Sequence, residues 1–180
     1  IDTDAEAIEV AKRTHQGNVQ IELRISDAQS AFSGESFDAV VALSTIEHVV
    51  DRPAFLRTVG RALTSGGIAF LNYDVGHFRS RDLKERLMVP ISQLLARIGI
   101  QGPYMKKVND AVFREQIQHE GLAVIQMRKH NIGCLKGFMK NASDNAVMDW
   151  YEFEERLHAR FSLEELDPLM LSTTFVVTKP

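Results

Sequence analysis

The sequence opens on Ile1-Asp2-Thr3-Asp4, where an acid stands directly before residues typical of a helix start. In open α/β sheets, ligands bind at the carboxyl ends of the strands. A carboxylate at such an end offers two acceptor oxygens and could bind both hydroxyls of a ribose. Asp2 and Thr3 are therefore candidate nucleotide-binding residues. The alternative is that Asp2 or Asp4 only caps the following helix.

A second polar stretch, Ser26-Asp27-Ala28, follows a segment in which apolar and polar residues alternate over positions 19–25. The alternation predicts a strand. An acid in the loop after that strand could accept a hydrogen bond from an adenine amine, while a neighbouring backbone N–H donates to a ring nitrogen. A plain turn aspartate is the alternative.

A third stretch, residues 37–49, joins an apolar run to a polar end. The run predicts a parallel strand buried on both faces, which would bring Leu43 and Ser44 to the ligand-binding edge. His48 is a candidate general base because its ordinary pKa lies near neutrality. Glu47 could orient it or raise its pKa. A structural histidine is the alternative, and two adjacent ligands are too few to predict a metal site.

Aromatic residues follow the next apolar run, which predicts a strand over residues 68–73. Tyr73, His77 and Phe78 would leave that strand at the same sheet edge as Ser44. They are therefore candidate substrate-binding residues. Packing of a loop by these aromatic rings is the alternative.

Helices and strands predicted from periodicity and end signals would position these side chains. Apolar spacing predicts helices at 3–13, from Pro53 to the Gly66-Gly67 pair, and at 80–98, 109–120 and 149–161. Strands are predicted at 19–25, 37–43, 68–73, 122–127 and 173–178. This order predicts a parallel α/β sheet within a single domain of 180 residues.

Composition narrows the classes of partner. The net charge of −3 and the lack of basic runs argue against nucleic acid. No apolar stretch approaches the roughly 20 residues that span a bilayer, so no membrane partner is expected. The single cysteine favours a reducing compartment, and we expect the cytoplasm.

Taken in order, the stretches resemble the class I S-adenosylmethionine-dependent methyltransferases. The resemblance covers nearly the whole chain through five motifs: Ile1–Ala11, Asp27, Phe37–Asp51 with its Glu-His pair, the helix that contains Gly60-Arg61 and precedes Gly66-Gly67, and Phe113–Met127. It implies a Rossmann-like, doubly wound, mostly parallel sheet with helices on both faces. It also implies helical insertions, which we place at 76–110 and 133–170 and expect to cover the substrate.

The resemblance assigns roles to the candidate residues. Asp2 would hold the ribose of S-adenosylmethionine, Asp27 and Ala28 the adenine, and Leu43 and Ser44 would lie beside the methionine part. Methyl transfer to a small molecule is the implied activity. The Glu-His pair also resembles that of the ubiquinone-pathway O-methyltransferases, whose longer acidic motif is associated with a divalent metal. Since Ser44 replaces the first acid of that motif, we expect no metal.

The chain departs from the family at its beginning. The family's first strand and its glycine-rich cofactor turn should precede Ile1 and are absent from the sequence. We therefore expect a chain truncated before that motif, which alone would bind the cofactor weakly. A non-catalytic, methyltransferase-like binding or regulatory subunit is the alternative. A nicotinamide-dependent dehydrogenase also fits the first acid, but the Glu-His pair and the absence of a Tyr-xxx-Lys pair argue against its short-chain form.

Overall fold

A computed structural model of the chain describes residues 1–27, 32, 34, 36–76, 91, 94, 105–133 and 141–180. The predicted roles of Ala28, His77 and Phe78, and most of the helix predicted over 80–98, lie outside these residues. The described helices are α1 (Ala5–Thr14), a short 3-10 helix (Ile46–His48), α2 (Arg52–Ala62), α3 (Asp110–His119), α4 (Asp144–His158) and α5 (Leu163–Leu166).

Short polar side chains set the starts of these helices. The Asn109 side chain accepts a hydrogen bond from the N–H of Val112, as expected for the cap of α3. At α1 the cap is Asp4, whose carboxylate accepts from the N–H groups of Glu6 and Ala7. The helix therefore begins at Ala5, two residues after the start predicted from the sequence.

Four described strands form one sheet in the order β1-β2-β4-β3: β1 (Phe37–Ala42), β2 (Leu63–Asp74), β3 (Ala123–Ile132) and β4 (Met170–Thr178). β1 is parallel to β2, and β4 is antiparallel to both β2 and β3. β1, β2 and β3 thus point in the same direction, so their carboxyl ends share one edge. The predicted α/β class with a mostly parallel sheet is confirmed. Two helices, α4 and α5, connect β3 to β4.

The core lies between one face of the sheet and helices α2 and α3. Alternate residues of β2 point into it, and they pack with Phe55 and Leu56 of α2 and Phe113 and Ile117 of α3. The intervening residues Ile68 and Phe70 point to the opposite face and are partly exposed. Helices on both faces were predicted, but α2 and α3 cover the same face.

Two strand predictions need correction. β1 is not buried on both faces, since Val41 is 62% exposed on the side away from the core. Residues 19–25 do not form a regular strand: their one bridge joins Asp2 to Ile25, and Val19 is 97% exposed. An alternating pattern stabilises a strand only where one face is covered, and this segment buries no apolar face.

The end of α2 also differs from the prediction. The helix ends at Ala62 rather than at Gly66-Gly67, and β2 begins at Leu63, which is buried and pairs with Phe37. Gly66 lies within the strand at a φ of 76°, where its N–H donates to the carbonyl of Lys179. The two glycines therefore allow an irregular strand start rather than a helix end.

Candidate cofactor site

A cavity of about 510 Å³ lies between the first residues of the chain and β1. Its floor is formed by Phe55, Thr58 and Val59 of α2, and its sides by Ile1, Asp2, Phe32 and residues of the segment 37–45. Two residues predicted from the sequence to hold one ligand, Asp2 and Leu43, both line it. A cavity of this volume is in the range typical of sites for small molecules and cofactors.

Asp2, the acidic residue of the cavity lining, pairs with the segment before Ser26. The N–H of Asp2 donates to the carbonyl of Arg24 at 3.2 Å, and the N–H of Ser26 donates to the carbonyl of Asp2 at 2.9 Å. These bonds place Asp2, Ser26 and Asp27 side by side, as the cofactor prediction requires. The Asp2 side chain is exposed and accepts one hydrogen bond, from the N–H of Asp4 at 2.9 Å. Its carboxylate has further acceptor capacity for a ligand.

The apolar wall ends in a tight turn at Leu43-Ser44-Thr45. Leu43 is 68% exposed and lines the cavity, and Thr45 lines it beyond the turn. Ser44 has a φ of 47°, in the left-handed region that residues with a Cβ seldom adopt. Its N–H donates to Oδ1 of Asn72 at 3.1 Å, and the N–H of Thr45 donates to the Asn72 carbonyl at 3.3 Å. The turn is thus attached to β2.

Glu47 and His48, predicted to act together, lie in different environments. Glu47 is fully buried, and its Oε1 accepts from the N–H of Asp74 at 3.1 Å. Its Oε2 has no hydrogen-bond partner among the described residues. His48 is exposed, and its N–H donates to the carbonyl of Thr45 at 2.9 Å. Glu47 therefore supports the loop from within, while His48 stays accessible at the same sheet edge as Ser44.

Two residues that the sequence did not single out hold this edge together. Arg52, at the start of α2, is buried and donates from Nε to the carbonyl of Ile46 and from Nη2 to that of Lys106. Asn72, in β2, holds the Ser44 turn. Both act through contacts distant in the chain, so no local pattern signals them.

Tyr73 lies in the core rather than on an open wall. It is fully buried, and its ring packs against those of Phe113 and Phe175. Burial and its hydrogen bond to the Asp110 carboxylate raise the pKa of the Tyr73 phenol well above its usual range. Tyr73 therefore packs in the core, which is the alternative that the sequence offered to substrate binding.

A buried lysine connects this core to the helices beyond β3. The ammonium of Lys129 lies 2.5 Å from Oδ2 of Asp110 and 2.5 Å from Oδ1 of Asp167. His158 Nε2 lies 2.7 Å from the Lys129 carbonyl. Near the carboxyl end of β3, Glu154 of α4 accepts from the N–H of Asn131 at 2.8 Å. These hydrogen bonds hold helix α4 at the same edge of the sheet as Ser44.

The described part of the chain contains no cluster of three or more His, Cys, Asp or Glu side chains that could bind a metal ion. Within the same residues, no helix combines the length and apolar character needed to cross a membrane.

The first part of the chain is similar to a known protein family. Residues 1–71, which include Asp2, Ser26, Asp27 and the Ser44 turn, match the family model described as "Methyltransferase domain". This part of the chain is therefore similar to a methyltransferase domain. The predicted family is confirmed over this part of the chain, which contains every described residue of the cavity wall.

Part of the chain is also similar to a curated protein, a "Ubiquinone biosynthesis O-methyltransferase" of Mesorhizobium japonicum. It is 38% identical over 66 residues, which make up 36% of this chain and 26% of the relative. The regions matched in the first two curated relatives span only 15% and 26% of those proteins.

Solved structures share the fold over almost the whole chain. A SAM-dependent methyltransferase of Methanosarcina mazei superposes with a TM-score of 0.57 at 14% identity, covering 99% of this chain and 79% of that one. The cyclase SpnF gives a TM-score of 0.54 at 16% identity, covering 98% and 62%. The methyltransferase fold is thus confirmed. Because a cyclase shares it, the fold alone does not determine the reaction.

Proposed function

We propose that the protein transfers a methyl group from S-adenosylmethionine to a small-molecule acceptor. In this proposal the cavity between Asp2 and β1 holds the cofactor. The observation that carries it is the backbone pairing that sets Asp2 beside Ser26, together with the position of Leu43 and Ser44 directly after the carboxyl end of β1. A nucleoside attached to an aliphatic chain needs such a combination of a carboxylate and an apolar wall.

The residues proposed to bind the nucleoside part of the cofactor have separate roles. The Asp2 carboxylate accepts hydrogen bonds from the ribose hydroxyls. Ser26 and Asp27, held beside Asp2 by the backbone pairing, bind the adenine. Thr3 follows Asp2 in the chain and is exposed, so it is also accessible to the cofactor in this proposal. The Leu43-Ser44 turn would hold the methionine part, at the edge of the sheet that also presents His48.

The cofactor supplies a methyl group already activated by its sulfonium. Reaction requires a nucleophile aligned opposite the sulfur: a bond forms between the acceptor atom and the methyl carbon while the carbon–sulfur bond breaks. The protein contributes mainly alignment. His48 takes the proton that an acceptor hydroxyl must lose. Helix α4, fastened at the same edge, helps to cover the acceptor.

The curated relatives support an oxygen nucleophile, since they are named as O-methyltransferases. A small-molecule acceptor and the expected cytoplasmic location are parts of the same proposal. The test of the proposal is equilibrium binding of S-adenosylmethionine to the full-length protein by calorimetry, with a variant in which the cavity is filled.

Leu43→Trp places a large ring in the cavity that the exposed Leu43 lines. We expect it to weaken binding by about tenfold or more, equivalent to about 1.4 kcal/mol. Ile125→Trp is the matched control, because Ile125 is similarly exposed on β3, at the other edge of the described sheet. Equal affinity of a folded Leu43→Trp protein and the wild type would overturn the proposed site.

A further inference from the structure

We propose that Asn72 is a positioning residue that holds Ser44 in its left-handed conformation and thereby shapes the cofactor site. The inference rests on the proposed function and adds to it a residue outside the cavity wall. Asn72 acts through the backbone of the turn that follows β1.

The turn adopts a conformation that its sequence does not favour. Ser44 has a φ of 47°, and a residue with a Cβ adopts such values only when its surroundings enforce them. Glycine adopts them readily, but the position is a serine. Contacts from elsewhere in the chain must therefore hold the turn.

Asn72 provides these contacts from two groups. Its side-chain Oδ1 accepts from the N–H of Ser44 at 3.1 Å, and its backbone carbonyl accepts from the N–H of Thr45 at 3.3 Å. Two successive amides of the turn are thus held by one residue of β2. Both bonds reach backbone atoms, so they constrain the path of the chain.

The Asn72 amide is itself held from the other side. The two N–H groups of its Nδ2 share three acceptors: Ser172 Oγ at 2.8 Å, Thr174 Oγ1 at 2.9 Å and the Thr173 carbonyl at 3.2 Å. These acceptors belong to β4, the neighbour of β2 opposite β1. The amide can therefore rotate little, and its oxygen stays directed at Ser44.

Asn72 is a buried amide near the end of β2, where its neighbours are apolar core residues. Asn72 is 8% exposed and stands between the core residues Leu71 and Tyr73. Burial of an amide is unfavourable unless its hydrogen bonds are satisfied. Here they connect β4 to the turn whose flanking residues, Leu43 and Thr45, line the cavity.

The experiment compares Asn72→Ala with Asn72→Ala/Ser44→Gly in the full-length protein. We expect Asn72→Ala to raise the KM and Kd for S-adenosylmethionine by about tenfold, equivalent to about 1.4 kcal/mol, with a smaller change in kcat. Amide hydrogen exchange at Ser44 and Thr45 should accelerate. Ser44→Gly should restore part of the affinity, because glycine adopts the required φ without support.

Val177→Ala is the matched control for lost stability, because Val177 is a fully buried β4 residue away from the turn. It should lower Tm while leaving Kd unchanged. Wild-type affinity in folded Asn72→Ala, or a double variant no better than Asn72→Ala, would overturn the inference. Failure of the wild type to bind S-adenosylmethionine would instead overturn the proposed function, while hydrogen exchange would still report whether Asn72 holds the turn.

Discussion

The buried carboxylate of Glu47 accepts a hydrogen bond from the backbone N–H of Asp74, with 3.1 Å between Oε1 and the nitrogen. This bond joins the loop after β1 to the end of β2. The carbonyl of Glu47 also accepts from the N–H of Lys106 at 2.9 Å, which adds the segment before α3. Glu47 thus connects three parts of the chain at the edge where the cofactor is proposed to bind.

Glu47→Ala should destabilise the protein, because it leaves a cavity and removes the acceptor of the partly buried Asp74 N–H. The loss of such a partner costs about 1–3 kcal/mol. Glu47→Gln keeps an acceptor oxygen and should stay within about 1 kcal/mol of the wild type. Urea unfolding of the three proteins tests this. Equal losses in both variants would show that the acceptor oxygen does not stabilise the loop.

His48→Gln tests the proposed base. If the exposed imidazole takes the acceptor's proton, turnover should fall by about 10²–10⁴-fold, with the affinity for S-adenosylmethionine nearly unchanged. His119→Gln on α3 is the control, since His119 is exposed and does not line the cavity. A fully active His48→Gln protein would leave alignment alone as the mechanism.

Glu154 should make the stability depend on pH. Burial alone opposes its ionisation, but hydrogen bonds from His130, the N–H of Asn131 and the indole of Trp150 outweigh burial and lower the pKa of Glu154. A carboxyl with a lowered pKa in the folded state stabilises the protein above its ordinary pKa of about 4.3. This stabilisation is lost as the pH falls through the lowered value.

Glu154→Gln should therefore unfold more easily than the wild type at pH 7, and the difference should shrink in acid. Urea midpoints measured from pH 7 down to about pH 3 test this. Glu164→Gln on α5 removes the same charge at an exposed position and is the matched control. A Glu154→Gln difference that stays constant over this range would contradict the assignment.

The sequence predicts an element correctly where the residues that determine it lie close together in the chain. The Asn109 cap and the apolar residues of α3 lie within a few residues of each other; the structure confirms the cap and buries Phe113 and Ile117, whereas Val112 is exposed. The alternation over residues 19–25 is also local, but a strand needs a ladder of partners, and Ile25 pairs only with Asp2 among the described residues.

The candidate site depends on contacts that local patterns do not contain. Asn72 and Ser172 are 100 positions apart in the chain, yet their hydrogen bond fixes the amide that holds Ser44. The neighbours Glu47 and His48 form part of a three-residue helix, too short for a periodic pattern to show which side chain points inward. Their separate environments could only be seen in the folded chain.

The most direct test of the cofactor site compares Asp2 with Asp4. Asp2→Ala removes the proposed ribose contact, whereas Asp4→Ala removes only the cap of α1. A charge-assisted hydrogen bond of about 1.5–3 kcal/mol predicts a loss of affinity of about 10- to 150-fold for Asp2→Ala. Asp4→Ala should instead cost about 1 kcal/mol of stability, with little change in affinity.

The deciding measurement is the Kd for S-adenosylmethionine of the full-length wild type and these two variants, by calorimetry at neutral pH. The account predicts binding by the wild type, a large loss in Asp2→Ala and a small one in Asp4→Ala. Equal losses, or a larger loss in Asp4→Ala, would contradict the placement of the ribose at Asp2.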